Sequence, residues 1–113
     1  MKNPTENRLE VAQTIKAQLL HYDTNLIMCL GSHNFRGSSY NDEEKHNGYL
    51  EFNVSNLRDM KIGIVRIELN YADLYNVKVY KGRSYKNLFA ERKDIYEDML
   101  TQTLEDLLGT WFF

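Results

Sequence analysis

Along this chain the spacing of apolar positions changes several times, and each change marks an element. Val11, Ala12, Ile15, Leu19 and Tyr22 fall on one side of a 3.6-residue wheel, with Glu10, Gln13, Lys16 and Gln18 mostly on the rest, the pattern of an amphipathic helix. Asn3-Pro4-Thr5-Glu6 reads as its start: Asn3 can cap, Pro4 suits the first helical position, and Glu6 can close a capping box. The spacing predicts a helix over residues 4–21. The run Leu26-Ile27-Met28-Cys29-Leu30 is continuously apolar and stops at Gly31, which predicts a short strand covered on both faces or at the sheet centre. Further on, Leu50, Phe52 and Val54 alternate with Tyr49, Glu51 and Asn53, the period-2 signature of a half-buried strand. The same rule turns Val65, Ile67 and Leu69 inward against Arg66 and Glu68, then Tyr75, Val77 and Val79 inward against Asn76, Lys78 and Tyr80. Asn70-Tyr71-Ala72-Asp73 joins those two strands as a hairpin, and Lys81-Gly82-Arg83-Ser84 leads to a weaker strand around 85–89. Asp94, with Glu97 three residues on, reads as the N-cap of a second helix. Its apolar stripe is Tyr96, Met99, Leu100, Thr103, Leu104, Leu107 and Leu108, and Gly109 stands at the C-cap.

Helix, four or five antiparallel strands, helix is the order of an α+β domain, here a single one over residues 1–113, with both helices on one face of the sheet. The other face is then open, and the alternation places Tyr49, Glu51, Asn53, Arg66, Glu68, Asn76, Lys78 and Tyr80 on it. A solvated antiparallel face is one reading. A binding or dimer surface is the sharper one, because tyrosine and arginine are favoured interface anchors. Trp111, Phe112 and Phe113 close the chain; three aromatics in water are an aggregation liability, so they are expected on the core or buried in a partner subunit.

Composition narrows the partners. With 113 residues, 42% hydrophobic and 27% charged, the chain is long enough to bury a core without disulfides or a structural metal. Fourteen basic against sixteen acidic residues give a formal charge of -2, so there is no global pull toward phosphate backbones. The single cysteine cannot form an internal disulfide, which suits a reducing cytoplasm. Neither a signal-like apolar segment at the start nor a membrane-length apolar run is present, and the expected location is cytoplasmic, with no membrane contact.

One stretch draws attention for chemistry. Between Cys29 and Gly48 lie His33, His46, Asp42, Glu43 and Glu44, donor types that bind zinc or iron. The two imidazoles stand thirteen positions apart across glycine, serine and asparagine, unlike ligand pairs on a rigid element, and the segment from Arg36 to Gly48 reads as a long polar connector. A Cys29/His33 nucleophile pair would place its thiolate in an apolar run that disfavours it. No strained Gly-x-Ser-x-Gly elbow, phosphate loop or dinucleotide fingerprint occurs. The acidic positions Glu91, Asp94, Glu97, Asp98, Glu105 and Asp106 fit a solvated outer face. No catalytic residue, metal or cofactor is expected.

Four segments, 25–35 (NLIMCLGSHNF), 48–54 (GYLEFNV), 65–86 (VRIELNYADLYNVKVYKGRSYK) and 95–109 (IYEDMLTQTLEDLLG), together resemble a family of small proteins of unknown function encoded by bacterial phages and other mobile elements. The matching positions are Gly31, Asn34, Phe35, Leu50, Phe52, Tyr75, Val77, Tyr96, Asp98 and Leu100. The chain departs from the pattern at Leu30, in place of threonine, and in a longer, more acidic segment from Arg36 to Asn47. The resemblance implies a mobile-element origin and one α+β domain, and no established activity. It also sharpens Gly31, Asn34 and Phe35 into a structural corner: a glycine turn, an asparagine able to take positive φ, and a ring plugging the core. The expected function is a non-enzymatic binding or accessory protein of a phage or mobile element. It would act through protein contacts, inhibition of a host defence protein being one version and a homodimer through the sheet face or the terminal aromatics another. The alternative is RNA or single-stranded DNA binding on the open face, through Tyr49, Tyr80, Arg66 and Lys78; Glu51 and Glu68 on the same face would repel the backbone.

Overall fold

The computed structural model describes residues 10–29, 31–41, 43, 45–55 and 61–108. Helix α1 spans Glu10–Cys29, followed by strands β1 (His33–Asn41), β2 (His46–Ser55), β3 (Ile62–Asn70), β4 (Tyr75–Lys81) and β5 (Leu88–Ile95). A single 3-10 turn at Glu97–Met99 leads into helix α2, Leu100–Leu108. The five strands form one sheet in the order β1-β2-β3-β4-β5, every pair antiparallel. The domain is therefore α+β, with the predicted order of helix, antiparallel sheet and helix. Helix α1 lies on β1 and β2, α2 lies by β4 and β5, and the helices touch each other.

On the strands the core forms where the sequence alternation put it, whereas Tyr22, Tyr96 and Met99, expected on the apolar sides of the helices, are exposed. Val11, Ala12, Ile15 and Leu19 of α1 and Leu100, Leu104, Leu107 and Leu108 of α2 bury against Leu50, Phe52, Val54, Val65, Ile67, Val77 and Val79. Full burial of such side chains stabilises by about 1.5–3 kcal/mol each. The Tyr75 hydroxyl donates to Gln18 Oε1 at 2.8 Å, tying β4 to the helix layer.

Three expectations are corrected. The apolar run from Leu26 was expected to be a strand, yet through Cys29 it continues α1. Five consecutive apolar residues carry no period that separates a buried strand from a helix end, and Asp23-Thr24-Asn25 does not break the helix. The first turn residue is Gly31, at φ 63, the left-handed conformation common just beyond helix ends. The segment from Arg36 to Gly48 was expected to be a polar connector; instead 36–41 is strand, and β2 starts at His46. Phe35 and Gly37 face the helices while Arg36 and Ser38 face the open side, so this stretch has the same period-2 pattern hidden in small polar residues. Gly48, at φ 129, lets the hairpin pack closely: a Cβ there would sit 2.8 Å from the Ser38 carbonyl oxygen and 3.0 Å from Val11 Cβ.

Asp94 was expected to cap the second helix and does not. It is the penultimate residue of β5, at φ 58, and accepts at Oδ1 from Asn70 Nδ2 at 3.0 Å, while its own N–H donates to Asn76 Oδ1 at 3.2 Å. Asn70 organises this corner, since its Oδ1 accepts from the backbone N–H of Ala72 and of Leu74 at 2.9 and 3.1 Å, an Asx-type turn. The helical segment begins instead after Tyr96, without a side-chain cap, and Glu97 and Asp98 occupy its first turn, where negative charge is favourable. The weaker strand expected at 85–89 forms as β5 at Leu88–Ile95, which leaves Tyr85 in the preceding turn. Asn3, Pro4, Glu6, Gly109, Trp111, Phe112 and Phe113 lie outside the described residues.

Candidate functional site

The sheet face away from the helices carries a connected polar network. Strand register sets side by side a row of charges from β1 to β5: Arg36 opposite Glu51, Glu51 opposite Arg66, Arg66 opposite Lys78, and Lys78 opposite Glu91. A second row runs Tyr49, Glu68, Asn76. Tyr80, two residues beyond Lys78 on β4, lies on the same side, so this face carries Tyr49, Glu51, Asn53, Arg66, Glu68, Asn76, Lys78 and Tyr80, the eight residues that the alternation assigns to it.

Glu51 is the centre of the network. Its side chain is 2% exposed. Arg36 Nε donates to Oε2 at 2.7 Å, Arg66 Nε to Oε1 at 2.8 Å and the Tyr85 hydroxyl to Oε2 at 2.5 Å. Arg36 also donates from Nη1 to Asn53 Oδ1 at 2.6 Å and to the Asn34 carbonyl at 2.7 Å. Burial pushes the Glu51 carboxyl up, but the Tyr85 hydroxyl and the Arg66 and Arg36 guanidiniums outweigh it and hold the group below its ordinary range. It is a fixed anion. Burial opposes the charge on Arg66 too, and Glu51 reverses that balance and raises it.

Aromatic rings cover these ions. The Arg66 guanidinium lies 4.2 Å from the Tyr49 ring centroid and 5.2 Å from that of Tyr85, within cation–π reach. Tyr80 meets Tyr85 edge to face at 5.3 Å. Burial raises Tyr80, with Arg66 and Lys78 pulling the other way, and it raises Tyr49, with Arg66 again opposing. Glu68, also buried, is held by Lys78 Nζ at 3.2 Å, with Arg66 Nη1 at 3.8 Å. Ile64 is opposite Tyr80, and Leu88, half exposed, is opposite Tyr80 on the other side.

Arg36 and Tyr85 were missed by the sequence reading because one was assigned to a connector and the other to a strand. The Phe35/Arg36/Gly37/Ser38 alternation was the available signal for Arg36; none marked Tyr85, whose reach depends on how the turn folds over the face.

The predicted corner lies apart from this network. Gly31 follows α1, Asn34 takes φ 56 inside the register shift between His33 and Arg36, and the half-buried Phe35 stacks on Phe52 at 5.0 Å. The corner thus joins a helix to a strand. The candidate metal ligands are dispersed. His33 is exposed and donates from Nδ1 to the Gly31 carbonyl at 2.7 Å. His46 is buried, its Nδ1 accepting from the Gly48 N–H at 3.0 Å. His33 pairs with Asn53, seven residues along β2 from His46, so at roughly 3.3 Å per residue the two histidines stand about 23 Å apart along the strand direction at the backbone, too far to share a metal. Glu43 is exposed, Asp42 and Glu44 lie outside the described residues, and among the described residues no three His, Cys, Asp or Glu side chains group as a metal site. Among them also, no helix is long and apolar enough to cross a membrane.

No protein-family model, curated protein or solved structure matches this chain.

Proposed function

We propose that this is a small non-enzymatic binding protein that engages another protein through the open face of its sheet. The observation that carries the reading is the burial of Glu51 beneath Arg36, Arg66 and Tyr85. A merely solvated face keeps its carboxylates in water, whereas burying one costs desolvation that only well-placed partners offset. Here that arrangement holds tyrosine and arginine side chains, the usual interface anchors, in fixed positions beside the exposed Leu88. Glu51, locked as an anion, is suited to holding the surface and not to moving protons. The family resemblance supplies the setting: a phage or mobile-element accessory protein in the cytoplasm whose partner is a host protein, such as a defence factor blocked by occlusion.

The nucleic-acid reading draws on Tyr49, Tyr80 and Tyr85 around Arg66. It is disfavoured because Arg36, Arg66 and Lys78 face Glu51, Glu68 and Glu91 on the same surface, which leaves the face without excess positive charge to displace counterions from phosphates. The test is parallel capture from host lysate with the wild-type protein and with Tyr80→Ala and Leu88→Glu, both checked by circular dichroism. A protein captured by the wild type and lost from both variants is expected. Identical capture by all three baits overturns the reading. A salt-dependent shift of labelled oligonucleotide, abolished by Arg66→Ala, replaces it with the nucleic-acid one.

A further inference from the structure

The two outer edges of the sheet are built differently. β5 carries two register shifts against β4, a φ of 58 at Asp94, and the charged run Glu91-Arg92-Lys93-Asp94. Bulges and charges are the devices that stop an exposed edge from pairing with another strand. β1 has one shift, between His33 and Arg36; from Arg36 to Asn41 its register with β2 is unbroken, and no residue after Arg36 is charged. Among the described residues, β2 is the one strand paired with β1. Among the described residues, the β1 edge therefore lacks the protection that β5 has.

Beside this edge, on the helix side, α1 and the sheet enclose a cleft of about 180 Å³. Phe35, Arg36, Gly37 and Leu50 line it from the sheet, and Ala12, Gln13 and Lys16 from the helix. Small-molecule sites run to roughly 300–1,000 Å³, so this volume suits a side chain better than a free ligand. Gly37 matters to its shape, because a side chain there would stand on the cleft floor. The Lys16 ammonium lies 4.3 Å from the Phe35 ring centroid, and among the described residues no carboxylate pairs with it.

We propose that the β1 edge and this cleft bind an extended peptide segment of another protein by strand addition. The peptide places an apolar side chain in the cleft and a carboxylate on Lys16. Each part of the ligand answers one feature of the protein. The unprotected edge takes a strand by main-chain hydrogen bonding, the adjacent cleft takes one of its side chains for specificity, and the uncompensated ammonium takes an acid. Residues two apart in a strand share a face, so the acidic residue stands two positions from the apolar one. This surface meets the tyrosine and arginine network at Arg36, which lines the cleft and also binds Glu51, whereas Tyr80 belongs to the open face alone, so a Tyr80 variant tells the two proposals apart.

The probe is a random octapeptide library made by mRNA display and selected on the full-length protein, with enriched peptides fluorescein-labelled and measured by polarisation. Enriched sequences are expected to pair an aliphatic or aromatic residue with Asp or Glu two positions away. Gln13→Trp, which obstructs the cleft, and Lys16→Glu, which reverses its charge, both leave the buried side of α1 intact. Each should weaken binding at least about tenfold in Kd, while Tyr80→Ala on the open face leaves it unchanged. Bound peptide should slow amide exchange across residues 36–41. The proposal is overturned if no peptide is enriched, if enriched peptides bind both α1 variants as tightly as the wild type, or if the slowed amides lie elsewhere. Light scattering that finds a dimer, with the β1 amides protected in the absence of peptide, overturns it as well by assigning the edge to a second copy.

Discussion

At the scale of single residues, Glu51 is the position on which the open face depends. Replacing it with Gln keeps the shape and removes the charge, leaving two guanidiniums facing each other without their shared counter-ion. Loss of one partner from a deeply buried pair costs roughly 3–5 kcal/mol; the Arg36 side chain is 37% exposed, so water moderates the penalty. Urea denaturation of Glu51→Gln should show a loss of about 1–3 kcal/mol. Tyr85→Phe removes one hydroxyl hydrogen bond to Glu51 and keeps the ring over Arg66, so its loss should be nearer 1 kcal/mol. A larger loss for Tyr85→Phe than for Glu51→Gln would contradict the central place given to the carboxylate. The membership of the face in β2, β3 and β4 was legible from alternation alone. The pairing within it was not: which guanidinium reaches which carboxylate depends on register, and a strand's period does not encode the register with its neighbours.

At the scale of elements, the β1–β2 hairpin shows what sequence pattern conveys and what it omits. Its β2 half, with Leu50, Phe52 and Val54 inward, was readable because large apolar side chains mark the buried face. The β1 half was not, since Phe35 is followed by Gly37 on the inward side and the outward side carries serine. Beyond Phe35, which packs on Phe52, what holds β1 in place is backbone pairing and the ion pair to Glu51, neither of which is visible as hydropathy. Asp94 is the converse case: its residue type suits a helix cap, but the buried Asn70 on the neighbouring turn binds its carboxylate. The hairpin's dependence on close approach is testable at Gly48. Ala there meets the Ser38 carbonyl and Val11 at a φ that L residues rarely adopt, and the expected cost is about 2–3 kcal/mol by chemical denaturation. Amide exchange should accelerate across β1 and β2 before β4 and β5. Equal stability of Gly48→Ala and wild type would show that the hairpin yields without penalty.

At the scale of the whole molecule, one core joins both helices to the inner strands, and the ionisable groups of the opposite face are locked to the same sheet, so their protonation is linked to global folding. The Glu51 carboxyl is depressed in the folded state from an ordinary value of 4.5. Its contribution is therefore present above that pH and is lost as pH falls through the folded value. Tyr49, Tyr75 and Tyr80 shift the other way, raised above an ordinary 10.0, chiefly by burial. A raised acid favours its protonated form in the fold, so the stability it lends is present below pH 10.0 and lost as pH rises through the folded values. The urea midpoint should accordingly be flat near neutrality and fall on both sides, below about pH 4.5 and above about pH 10. Glu51→Gln should lower the plateau, flatten the acid side and also soften the alkaline fall, because the Glu51 charge helps burial to raise Tyr49 and Tyr80, while Tyr75 keeps its share. If wild type and Glu51→Gln lose stability with the same slope in acid, the protons are being taken up by other carboxylates and Glu51 is not what couples the open face to the fold.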